Sequence, residues 1–420
     1  MPKGPFVFVS GRWDNVVSIV DVAAAMQPAN NATPAAIVNQ VRVTPDIDSA
    51  GVVETASGQP VNLVIAADGR HAYVVNHSGR VTPAAAAAFQ HGHPGTITVL
   101  DVAKALDPAS RGTTNAIVDI IDTGTAGPVG IALTPDQKHL VVSSAEAAGS
   151  EDGVDRITLI DTASRKVVRQ VKQALAGEGD GAPRPNPHAA PHAGYGRFPN
   201  ANGVAVSPLD GGIIVTGNGG TDDVSVISLA RALKGEPAEM ARVPVQTGPF
   251  GVAVSPDGRL AAVASRESMR TGIEGNTISL IDLARATSDA GKAEMARVRV
   301  GTDRADEATR PFAVAFTRDG RSVLASCFRS NMISLVDVER ALAGAPAERR
   351  LHVATSSGGP GRPRGVAMLP DGRHAAVIGG AKAGAGSSLV WIIDLERLTP
   401  VGCVTGVGNG SYLLDVLPVA

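Results

Sequence analysis

The sequence predicts an all-β fold, a seven-bladed β-propeller of four-stranded antiparallel blades. Three observations carry this. An Asp-Gly-Arg turn recurs along the chain, an alternating strand that usually ends in Asp recurs seven times, and each terminus holds an unmatched strand. The turns are Asp68-Gly69-Arg70, Asp257-Gly258-Arg259, Asp319-Gly320-Arg321 and Asp371-Gly372-Arg373, with looser copies at Pro135-Asp136-Gln137 and Pro208-Leu209-Asp210. Asp-Gly between two short β-rich runs is a hairpin signal, because glycine accepts positive φ. The alternating segments are 17–21, 97–101, 157–161, 224–228, 278–282, 333–337 and 390–394. After each comes a turn, often helical in character (23–26, 103–106, 230–233, 340–342), then a fourth strand such as 38–43, 116–121, 167–171, 296–300 or 349–353. Four-stranded units repeated in this way are propeller blades. Residues 6–9 match a second strand with no first strand before it, and 412–419 supply one at the other end. One domain over 1–420 is expected, with blade one split between 1–50 and 410–420. The C-terminal strand joins the N-terminal blade and closes the ring, which removes an open sheet edge.

Composition narrows the function. The 420 residues are 44% apolar and 19% charged, ample for a large core. The 48 glycines and 28 prolines suit a fold with many turns. The formal charge of −2 exerts no pull on a polyanion, and aromatics make up only 3% of residues. Nucleic acid is therefore not the expected partner, and the same scarcity disfavours a sugar-stacking groove. No apolar run reaches the ~18 residues of a membrane span. The N-terminal Phe6-Val7-Phe8-Val9 is too short for a signal-peptide core. The expectation is a cytoplasmic protein, or a periplasmic or secreted one if a leader was trimmed. Cys327 and Cys403 alone make no disulfide framework or thiolate cluster.

Tyr73-Val74-Val75-Asn76 after Asp68-Gly69-Arg70, and Asn276-Thr277-Ile278-Ser279-Leu280-Ile281-Asp282, resemble the YVTN-type propeller repeat. The same layout occurs in lactonase-type seven-bladed propellers. Other blades depart from that core, with Val141-Val142-Ser143-Ser144 and Ala261-Ala262-Val263-Ala264 in its place. The resemblance spans nearly the whole chain and is one of scaffold. It implies hydrolysis, or reversible closure, of a lactone or related small anionic substrate.

Chemistry is expected where loop lengths vary, on the face carrying the second-to-third-strand loops and the blade-to-blade links. Five histidines fall there: His77, His91 and His93 in one loop, His188 and His192 in the Pro-rich link of 183–192. Residues two apart in extended backbone share a side. His91 and His93 could thus grip a metal jointly, and neutral imidazoles suit Zn, Cu or Fe. Solvated or turn-capping loop histidines are the alternative, since no HExxH spacing singles out a metal site. The second constellation is cationic. Arg12, His77, Glu146, Arg266 and Arg329 mark where second strands leave the sheet. Asn62, Asn202, Phe250, Phe312, Arg364 and Tyr412 mark where inner strands start, with Arg310 just before Phe312. Arginine clusters grip carboxylate or phosphate bidentately, or they merely pair with acidic neighbours.

Three functions follow. The first is a lactonase-like enzyme for a small molecule. There His77, His188 or His192 acts as base or metal ligand, and Arg266 and Arg329 hold a carboxylate or the oxyanion. Arg12, Asn62, Glu146, Asn202, Arg310 and Arg364 complete the substrate contacts. The second is a metal-centred redox or lyase enzyme built on the five histidines. The third is a non-catalytic binding scaffold.

Overall fold

In this computed structural model, residues 4–44, 53–54, 58–77, 80–81, 94–145, 156–173, 199–209, 212–269, 271–381 and 388–417 are described. The strands form seven four-stranded antiparallel sheets and one short two-stranded pair, Val53–Glu54 with Arg80–Val81. Call the strands of a blade A to D from the axis outward. The A strands are Ser411–Leu417 in blade one, Pro60–Ile65 in two, Pro128–Leu133 in three and Ala201–Val206 in four. Pro249–Val254, Pro311–Phe316 and Val366–Met368 follow in five, six and seven. Each touches the next, and that of blade seven touches that of blade one, so the ring is complete.

Closure is made as the termini suggest. Phe6–Gly11, strand B of blade one, pairs with Ser411–Leu417 on one side and Val16–Asp21 on the other, placing Phe6 opposite Leu417 and Val9 opposite Leu414. Backbone pairing to the far end of the chain covers the inner edge of Phe6–Gly11 and completes this blade.

The recurring acidic residues are structural. Asp68 Oδ1 accepts from the Arg70 amide at 2.9 Å, and Asp257, Asp319 and Asp371 repeat the contact on Arg259, Arg321 and Arg373. Asp21, Asp101, Asp282, Asp337 and Ser228, at the ends of C strands, cap the short helices that follow. In each case the side-chain oxygen accepts from an otherwise orphaned helical amide. Asp161 and Asp394 serve non-helical turns in the same way.

The core lies between blades. Phe8 and Ile19 of blade one pack on Leu63, Val74 and Leu100 of blade two, and equivalent aliphatic layers fill other joints. Each such side chain stabilises the ring by about 2 kcal/mol on burial. Near the axis the packing is tight enough to require glycine. A Cβ on Gly203 would sit 2.2 Å from the Phe250 carbonyl oxygen, and one on Gly251 would sit 2.6 Å from that of Phe312. Among the described residues no helix is long and apolar enough to cross a membrane.

Candidate functional site: an arginine-lined mouth

A repeated backbone clasp builds the mouth. The residue before strand A has left-handed backbone in six blades, Gln59, Gly127, Asn200, Gly248, Arg310 and Gly410, and in blade seven Arg362, four residues ahead of Val366, has it too, with φ from +42° to +63°. In five blades its carbonyl accepts from the residue just after strand B. The pairs are His77 on Gln59, Ala145 on Gly127, Gly219 on Asn200, Arg266 on Gly248 and Phe328 on Arg310, at 2.9 to 3.1 Å. The clasp fixes the first residue leaving strand B at the rim. Left-handed backbone costs a non-glycine residue roughly 1 kcal/mol, yet Arg310 and Arg362 adopt it. A side chain is thus kept where glycine would be easier on the backbone.

The second residue of each A strand sits just inside the rim. Reading round the ring from blade two, these are Val61, Val129, Asn202, Phe250 and Phe312, then Arg364 in the stretch leading into Val366–Met368, then Tyr412. Phe250 and Phe312 have ring centroids 4.6 Å apart, and Tyr412 meets Phe312 edge-on at 5.0 Å. Phe328 joins at 6.4 Å from Phe312. Trp13 stands on the blade-one side, so five of the chain's aromatic residues gather at one place. Overall scarcity argued against a stacking surface, but composition does not register concentration. The structure supplies one.

Above this collar lies a cavity of about 470 Å³ walled by six arginines: Arg12, Arg266, Arg310, Arg329, Arg362 and Arg364. They fall into two sets. Arg310 pairs with Glu267 and, through Nη1, with Glu274 at 3.2 Å, while Arg329 pairs with Glu274. Both glutamates are well shielded, their side chains 12% and 13% exposed. The other four guanidiniums have no carboxylate partner among the described residues. Arg12 is held by a neutral amide, its Nε and Nη2 donating to Gln59 Oε1 at 3.1 and 2.8 Å, and it lies 4.7 Å from the Trp13 ring. Arg266 stacks over Phe250 and Phe312 at 4.9 and 5.3 Å, with a buried Nε that has no hydrogen-bond partner among the described residues. Arg364 is 3% exposed, donates to the carbonyls of Ser411 (2.9 Å) and Gly380 (3.3 Å), and lies 5.4 Å from the Phe328 ring. Burial pushes its pKa down to about 10, so it remains a cation at neutral pH. A buried charge without a counter-charge is costly. At a cavity wall it is a standing offer to an anion.

The structure therefore brings together Arg12, Arg266, Arg310, Arg329 and Arg364, as the sequence groups them. It differs at Asn62, which is the third residue of its A strand and faces the channel below the collar beside Asp415. The equivalent of Phe250 in blade two is Val61, and a one-residue slip turns a strand side chain to the other face. Asn202 bonds back to the Asn200 carbonyl at 3.0 Å and is not on the cavity wall. In blade six the clasped residue is Phe328, with Arg329 one step beyond it. His77 stands at the rim between blades two and three, Nδ1 3.3 Å from the Pro128 carbonyl oxygen. Glu146, His91, His93, His188 and His192 lie outside the described residues. Among the described residues no three His, Cys, Asp or Glu side chains converge on a metal position.

Four mouth residues escape the sequence reading: Trp13, Gln59, Phe328 and Arg362. Proline could have located two of them. Pro60, Pro128, Pro249, Pro311 and Pro363 occupy the same place in five blades, which puts Gln59 and Arg362 in step with Arg310.

Fold and mouth together define a seven-bladed propeller with a cationic, aromatic-floored opening. No family model matches the chain, and no curated protein matches its sequence. Solved structures share its fold. A periplasmic gluconolactonase from Pseudomonas aeruginosa is 17% identical with a TM-score of 0.62, over 99% of this chain and 100% of that one. A candidate 6-phosphogluconolactonase from Bacteroides uniformis is 12% identical with a TM-score of 0.61, over 98% and 99%. Hydrazine synthase from Kuenenia stuttgartiensis is 16% identical with a TM-score of 0.56, over 90% of each chain. At such identities the likeness is one of fold, and a fold hosts many chemistries.

Proposed function

We propose that the protein is a lactonase-like hydrolase that opens a small sugar-acid lactone at this mouth. The observation that carries the reading is the set of four guanidiniums without carboxylate partners among the described residues, around a cavity of sugar size. Lactone opening places negative charge on the carbonyl oxygen in the transition state, and preorganised N–H donors in a shielded site stabilise it. Arg266 and Arg364 suit that task better than Arg329, whose charge is already met by Glu274. The rings of Phe312, Phe328 and Tyr412 offer a surface for the C–H face of a sugar ring. Arg12, Arg310 and Arg362 would orient hydroxyl and anionic groups. In this reading the attacking water gives its proton to an imidazole, for which His77, His188 and His192 are the candidates. The gluconolactonase and 6-phosphogluconolactonase names among fold neighbours favour this chemistry over others the scaffold could host.

The test is a pH-stat assay of purified protein with glucono-1,5-lactone and its 6-phosphate, corrected for spontaneous opening. Arg266→Met should lower kcat/KM at least about 100-fold, as loss of an oxyanion donor does. Wild-type protein that does not exceed the spontaneous rate on either lactone would overturn the reading.

A further inference from the structure

The two sets of arginine have a consequence for the product. Opening a lactone breaks the bond between acyl carbon and ring oxygen and forms one from acyl carbon to the oxygen of water. One water proton ends on the former ring oxygen as a hydroxyl, and the other leaves the new carboxylic acid for solvent. The ligand therefore gains a full negative charge while still bound. The lactone has only a neutral carbonyl to offer an arginine at that position. Hydrogen bonds between guanidinium and carboxylate are roughly twice as strong as those to neutral acceptors.

Resting on the lactone-opening reading, we propose that the mouth binds the open-chain acid more tightly than the lactone it comes from, so that the acid restrains its own formation. Three observations support it. Arg12, Arg266, Arg362 and Arg364 have no carboxylate partner among the described residues, so a ligand carboxylate is not competing with one already in place. Arg364 is 97% buried, with two of its five N–H donors placed on the Ser411 and Gly380 carbonyls, which keeps its fork fixed for an incoming anion. The stacked rings beneath give the cavity an apolar floor, and Coulomb attraction strengthens as the surroundings become less polar. Arg310 and Arg329, neutralised by Glu267 and Glu274, add little to this preference. Release of the acid then limits turnover, and salt, by screening the attraction, speeds release.

The measurement uses the tryptophans. Trp13 is 39% exposed at the mouth and lies against Arg12, whereas Trp391 is buried in blade seven and gives a constant background. Gluconate and gluconamide, the same skeleton with a neutral amide for the carboxylate, are titrated against Trp13 emission. Gluconate should bind at least about tenfold more tightly, the gap narrowing between about 20 and 200 mM NaCl. It should shrink again in Arg266→Gln and Arg364→Met, the first of which keeps the proposal testable if the second fails to fold. Gluconate should also inhibit lactone opening competitively, below the KM of the lactone. Equal binding of acid and amide, or binding of neither, overturns the proposal, whereas pH-stat turnover of the lactone would leave the hydrolase reading standing. Tight gluconate binding without lactone turnover overturns the hydrolase reading and the restraint on turnover with it.

Discussion

Arg364 donates from Nη1 to the Ser411 carbonyl across the joint between blades seven and one. The same side chain thus walls the mouth and ties strand A of the closing blade to its neighbour. The two duties separate on substitution. Arg364→Met nearly keeps the volume, removes a buried cation that has no carboxylate partner among the described residues, and takes one donor from each of two carbonyls. The first change stabilises and the second destabilises. The net shift in unfolding free energy should be within about 1 kcal/mol of zero. Lactone kcat/KM should nevertheless fall at least about tenfold. Thermal unfolding and pH-stat rates on the same sample check this, and a large stability loss with intact turnover would reverse the assignment.

Glu274 meets both Arg310 and Arg329 at the blade-five rim. Glu274→Gln preserves shape and removes one shielded negative charge, leaving two cations less compensated. Breaking such a pair costs about 2 kcal/mol. The mouth also becomes more cationic, so gluconate should bind more tightly, not less. Opposite movement of stability and affinity is the expected signature, read by denaturant unfolding and Trp13 titration.

The ring was legible because its signals are local and repeated. Asp68-Gly69 and its copies specify hairpins, and Asp21 and its copies specify caps. Each works through its own neighbours, so a single chain displays the rule several times. The arginine sector was visible because five of its members sit at repeated positions. The division among those arginines was not. Glu267 and Glu274 lie in one loop and select Arg310 and Arg329 by three-dimensional reach, which spacing does not encode. Asn62 against Val61 shows the other limit: without a clear glycine or aromatic marker, blade two can be aligned one residue out of step.

Closure by the last strand gives a sharp stability test. Ser411–Leu417 pairs with Phe6–Gly11 and packs Leu414 and Leu417 into the cores on its two sides. A chain ending at Gly410 lacks both, losing about 2 kcal/mol of burial for each, and leaves the inner edge of Phe6–Gly11 unpaired. Such a chain should unfold at much lower denaturant concentration and self-associate through that edge. Light scattering and urea unfolding read the two effects, and unchanged behaviour would mean that the last strand does not hold the ring.

Asp415 should leave a mark on stability as a function of pH. Its carboxylate lies in the channel below the collar, where burial raises its pKa to about 6 against two opposing hydrogen bonds, from the Ile65 and Val416 amides. The folded protein therefore holds this proton at pH values where the unfolded chain has released it. Between about pH 4 and 6 the folded state binds more protons, so the contribution of Asp415 to stability falls as pH rises, by on the order of 2 kcal/mol in all. Asp14 is raised to about 6 as well, also through burial, and acts in the same direction. Asp415→Asn removes one of the two. The difference in unfolding free energy between wild type and Asp415→Asn should change across pH 4 to 6 and stay level from 7 to 8. Asp14 is common to both proteins and cancels from that difference. A difference independent of pH would mean that the Asp415 carboxylate is solvated as it would be in water.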